Sequence, residues 1–114
     1  MVRIKRAYSE SSSHDGVRIL VDRVWPRGIT KERAHIVEWR QDLAPSTSLR
    51  KWFGHDPARW AGFRRRYRTE LKRSMGELEK LARLSCHQTI TLVYSAADEE
   101  HNQAVVLKEL IEAI

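Results

Sequence analysis

Between Pro57 and Leu84 seven apolar residues, Trp60, Phe63, Tyr67, Leu71, Met75, Leu78 and Leu81, recur at spacings of three and four. With about 3.6 residues to a turn, that period puts them on one stripe of an α-helix. Asp56-Pro57 supplies its start, an acidic N-cap followed by proline at the first helical position. The pattern predicts one long amphipathic helix over 57–84, and the rest of the chain is read around it.

Residues 2–8 (VRIKRAY) alternate at period two and read as a half-buried strand. The polar SESSSHDG follows as a turn, and VRILVDR at 17–23 is β-branched and apolar, suited to a central strand. Trp25-Pro26-Arg27-Gly28 must be a loop. Thr30 is an N-cap for a helix predicted to run to Leu43, with Ile36, Val37, Trp39 and Leu43 inward. Ser46 or Thr47 caps a short helix that stops at Gly54. TITLVYS at 89–95 reads as a second buried strand, and a last helix spans 98–112; Ser95 to Asp98 also fits a capping box, which leaves that helix start open by three residues. Strand and helix alternate, so an α/β architecture is expected. The link between the first two strands is short and carries no helix, which suits an antiparallel pair. The expectation is a small mixed three-stranded sheet covered by several helices.

A chain of 114 residues is the size of one domain, and residues 1–114 are read as a single α/β domain. No apolar run approaches the ~18 residues needed to span a bilayer, and the N-terminus alternates charge with apolar residues where a signal peptide would be continuously apolar. Cys86 is the only cysteine, so neither a disulfide framework nor a cysteine zinc site is available. These features point to the cytoplasm and away from a membrane. The net charge is +6, and it is uneven: residues before Asp98 hold 20 bases against 10 acids. Arginine outnumbers lysine 15 to 6, which suits bidentate capture of phosphate or carboxylate, although a GC-rich genome would give the same excess.

In an open α/β sheet ligands bind beyond the carboxyl ends of the strands. The strand ending at Val21 delivers Asp22, Arg23, Trp25 and Arg27; the one ending at Val93 delivers Tyr94 and Ser95, then Asp98, His101 and Asn102. Parallel neighbours would bring both sets to one rim. His101 follows Asp98 by three residues, and a carboxylate beside an imidazole fixes its tautomer and raises its basicity, as in a general base. Two residues do not make a metal site, and no pattern names a cofactor. GxSxG, GxGxxG and P-loop motifs are absent, and no phosphatase-like cysteine loop is formed around Cys86. The bland alternative is a structural network in which Arg23, Arg27 or Arg50 pairs with Asp98, Glu99 and Glu100. Trp25 and Trp52 are either site walls or core. A second surface is the run Arg59, Arg64, Arg65, Arg66, Arg68, Lys72 and Arg73, which could follow a nucleic-acid backbone.

Three blocks, ILVDRVWPRGITKE, DLAPSTSLRKWFGHDPARWAGFRRRY and LVYSAADEEHNQAVVL, resemble the YeaO-like family of small bacterial proteins, a domain of unknown function (DUF488). The resemblance runs in order from Gly16 to Leu110. It implies an α/β fold and no particular activity. It also supports grouping Asp22, Arg23, Trp25, Arg27, Arg50, Trp52, Asp98, His101 and Asn102, which all lie inside the blocks. The expectation is therefore a pocket for a small anionic ligand: Arg23, Arg27 and Arg50 bind the anion, Trp25, Trp52, Tyr94 and Asn102 help form the pocket, Asp22 and Asp98 orient groups, and His101 acts as acid or base. Nucleic-acid binding by the arginine face is the alternative.

Overall fold

A computed structural model of the chain describes residues 1–114. Strands β1 (Val2–Arg6), β2 (Val17–Leu20), β3 (Glu38–Trp39) and β4 (Ile90–Tyr94) form one sheet in the order β1-β4-β2-β3. Every pairing is parallel. The helices are α1 (Lys31–Ala34), α2 (Thr47–Phe53), α3 (Trp60–Leu71), α4 (Met75–Ser85) and α5 (Gln103–Glu112). None is long and apolar enough to cross a membrane.

The two faces of the sheet follow from the period-two alternation of its strands. Val2, Ile19, Val21, Ile90, Leu92 and Tyr94 join residues of α2 to α5, among them Phe63, Tyr67, Leu78 and Leu107, in a core of 19 buried residues. Arg3, Thr91 and Arg18 are in register on the other face. The segment 7–16 crosses there on its way from the end of β1 to the start of β2. Its 3-10 turn, Ser13–Asp15, sets the fully buried Asp15 carboxylate 2.7 Å from Arg18, 3.2 Å from Lys5 and 3.6 Å from Arg3. The Thr91 hydroxyl donates to the Asp15 carbonyl at 2.7 Å. Burial by itself would raise the Asp15 pKa, but the Ser12 amide, Lys5 and Arg18 outweigh it and hold the carboxyl below its usual range. The charges that alternate in β1 therefore anchor a crossover.

The structure departs from several of the sequence expectations. The sheet has four strands, not three, and it is parallel throughout. β1 and β2 are not a hairpin, because β4, more than 60 residues later in the chain, inserts between them. The predicted helix over 30–43 breaks at His35, which takes a left-handed conformation (φ 51°). The chain then turns extended, since Val37 N–H and Arg40 N–H find the Arg18 and Leu20 carbonyls on the free edge of β2. Leu43 is buried as expected, but Val37 and Trp39 are exposed. The helix over 57–84 is also interrupted: a 3-10 turn at Lys72–Ser74 separates α3 from α4. A straight helix of that span would be about 42 Å long, more than the 35 Å largest extent of the molecule, so the turn lets the apolar stripe follow the core. The last helix starts at Gln103 with Asn102 as its N-cap, and Asp98 lies in the preceding turn.

Candidate functional site

Because β1, β2 and β4 are parallel, their carboxyl ends share one rim. A cavity of 360 Å³ opens there, within the range of small-molecule sites. The loop after β2 contributes Asp22, Arg23, Trp25 and Arg27; α2 contributes Arg50 and Phe53; Phe63 comes from α3; and Ser95, His101, Asn102 and Gln103 follow β4. Residues from three sequence-separated blocks thus line one space.

Asp22 is the buried acid at its base, 6% exposed. Its carboxylate accepts from Ser95 N–H at 3.1 Å and from Gln103 Nε2 at 2.6 Å, and it forms no salt bridge. Burial pushes its pKa up, opposed by those hydrogen bonds and by the charge of Arg50. Arg23 is held through backbone carbonyls: Nε donates to Pro45 at 3.0 Å and Nη2 to Ala44 at 3.3 Å. Arg27 and Arg50 are exposed, and their guanidinium groups make no hydrogen bond or ion pair with the rest of the chain. The alternative, an arginine–carboxylate network in which one of these three pairs with Asp98 to Glu100, does not form. Elsewhere arginines do pair: Arg40 with Asp42 and Glu77, and Arg64 and Arg68 with Glu109.

His101 lines the cavity, with Nδ1 2.9 Å from Asp98 Oδ2 and its ring edge-on to Trp60 at 5.2 Å. Asp98 also accepts the Glu100 and His101 backbone N–H groups, and these, with the imidazole, hold its carboxyl below the usual range. The pairing foreseen from helical spacing is present, but a turn makes it. His101 Nε2 has no partner in the chain. Asn102 faces the cavity with its side chain engaged: Oδ1 caps α5 at Val105 N–H, and Nδ2 donates to the Asp98 carbonyl.

Trp25 is both wall and core, its Nε1 donating to the Ile29 carbonyl at 2.7 Å while its ring lines the cavity. Trp52 and Tyr94 lie outside it. Trp52 packs on the main core with its ring close to Gly62 of α3, and Arg66 lies 3.9 Å and Arg59 5.3 Å from its ring centroid. Tyr94 is buried in the core, where its pKa is raised by that burial and by Glu99. Gln103, His55, Phe53, Phe63 and Tyr8 line the cavity without having been singled out for it. For Gln103 a signal was available, since it directly follows Asn102 within the third block. Phe53 and Phe63 read correctly as apolar helix positions, and nothing local marks which of these border a cavity. No group of three His, Cys, Asp or Glu side chains is placed to hold a metal ion.

The sequence model of the family described as "Inactive DUF488-N3 subclade" matches residues 1–114. The chain is 40% identical to the uncharacterized protein YeaO of Escherichia coli (strain K12) over 113 residues, 99% of this chain and 98% of that protein. It is 38% identical over 110 residues to the uncharacterized proteins Mb3100c of Mycobacterium bovis and Rv3073c of Mycobacterium tuberculosis, covering 96% of this chain and 92% of each relative. No solved structure matches it.

Proposed function

Given that this chain belongs to the YeaO-like DUF488 family, in the subclade described as inactive DUF488-N3, we propose that it binds a small anion in the rim cavity and holds it without transforming it. One observation carries the reading: Arg23, Arg27 and Arg50 line a single cavity, and no carboxylate pairs with any of them. The guanidinium groups of Arg27 and Arg50 keep all their donors open, and an anion with oxygen acceptors can take them in bidentate bonds. His101, oriented by Asp98, adds a further donor when it is protonated. The description of the family as inactive supports a binding role over an acid–base role for that pair.

The nucleic-acid reading has less support. On the α3 face Arg64 and Arg68 are drawn onto Glu109, and Arg59 and Arg66 lie over Trp52. Thermal melts separate the two. Inorganic phosphate and sulfate should raise the melting temperature, by about 2.7 kcal/mol of stability at a hundredfold excess over Kd. Arg27→Gln with Arg50→Gln should remove that shift. If only oligonucleotides stabilise the protein, and this double variant responds to them as wild type does, the cavity is not the site.

A further inference from the structure

Asp22 and Arg50 pose a problem when taken together. A buried carboxylate is costly unless it is paired, and the other buried acid, Asp15, is paired with two cations within 3.2 Å. Asp22 is 6% exposed, and its hydrogen bonds, from Ser95 and Gln103, come only from neutral donors. Arg50, close enough for its charge to act on Asp22, lines the same cavity and leaves the carboxylate unpaired. A carboxylate offers about four lone-pair sites, so Asp22 retains capacity for another donor. Buried Phe53, Phe63, Pro26 and Pro45 also line the space.

We propose that the cavity takes a two-ended ligand: an organic anion whose acidic group meets Arg27 and Arg50, and whose remote end donates an N–H or O–H bond to Asp22. The inference rests on the anion reading and adds the second end. A bare oxyanion uses only the arginines and leaves Asp22 as it is. A ligand with an apolar body between its two ends also covers Phe53 and Phe63, and the volume suits a single ring with two substituents.

Calorimetric titration of the whole protein with phenyl phosphates tests this. Meta- and para-aminophenyl phosphate carry the donor end, the corresponding methylphenyl phosphates are near-isosteres without it, and inorganic phosphate has no body at all. The expected result is that one amino compound binds about ten- to a hundredfold more tightly than its methyl counterpart, since a hydrogen bond to a charged group is worth that much. Inorganic phosphate should bind more weakly than either. Asp22→Asn should bring the amino and methyl compounds to within about threefold of each other, and Arg50→Gln should weaken both. If amino and methyl compounds bind wild type equally and Arg50→Gln weakens them, the two-ended ligand is wrong and the anion site stands. If Asp22→Asn keeps the full preference, the donor end is not at Asp22. If no compound and no inorganic phosphate binds wild type, the anion reading itself falls. Should Asp22→Asn not fold, the wild-type comparison of the matched pairs decides alone.

Discussion

Asp15 and Asp22 are two buried acids a few residues apart with opposite surroundings, and their pKa shifts have opposite signs. Asp15 is held low, so its ionised form favours the fold; that stability is fully present above the ordinary carboxylate pKa and is lost as pH falls through the folded value. Asp22 is held high, so the native state grips its proton; stability from that source declines as pH rises through its folded value. Asp15→Asn leaves Arg18 buried beside a neutral partner and should cost about 3–5 kcal/mol in urea unfolding at neutral pH. Asp22→Asn removes a charge that folding disfavours and retains an acceptor for Ser95 or Gln103. Its melting temperature at neutral pH should equal or exceed that of wild type. A loss as large as that of Asp15→Asn would make Asp22 a structural acid and remove the reason to seek its missing partner in a ligand.

At the scale of elements, the crossover from β1 to β2 is the least forgiving feature. Gly16 has φ +63°, and a Cβ there would fall 2.0 Å from the Thr89 carbonyl oxygen, which also accepts from Val17 N–H. Both the left-handed conformation and the contact exclude a side chain, and the obstacle is backbone that cannot swing away. Gly16→Ala should therefore destabilise by more than about 2 kcal/mol, read as a lower urea midpoint, whereas Gly76→Ala meets nothing within 4 Å and should be tolerated. The helices show what local sequence fixes well. Ser46 and Asp56 cap where their types predict, and Gly54 ends α2 in the left-handed region. Length is fixed less well: the apolar spacing of 57–84 is real, but the break at Lys72–Ser74 answers to the size of the core.

For the whole molecule, charge is distributed by pairing across long sequence separations. Glu109 on α5 neutralises Arg64 and Arg68 on α3, 45 and 41 residues away. Glu109→Gln should free both arginines and strengthen duplex oligonucleotide binding severalfold at low salt, an effect that fades by about 0.2 M salt as counterion release weakens. Filter binding across a salt series checks this; an unchanged affinity would mean that face contributes nothing to polyanion attraction. The sequence by itself determined the helical stripe, the caps at Thr30, Ser46 and Asp56, the identity of β1, β2 and β4, and the placing of Asp22, Arg23, Trp25, Arg27, Arg50, His101 and Asn102 at one rim, because each depends on neighbours within a turn or a strand. The tertiary structure alone decided the strand order, since β4, placed between β1 and β2, follows them in the chain by more than 60 residues. It also decided the fate of residues 35–40, whose backbone bonds come from the edge of β2. Which side chains were spent on structure and which were left free was settled there too. Trp52, Tyr94 and Asn102 carry suitable chemistry but are used in packing and capping, while Arg27 and Arg50 remain unpartnered. A side chain's partner is set by distance through space, which residue type and spacing do not encode.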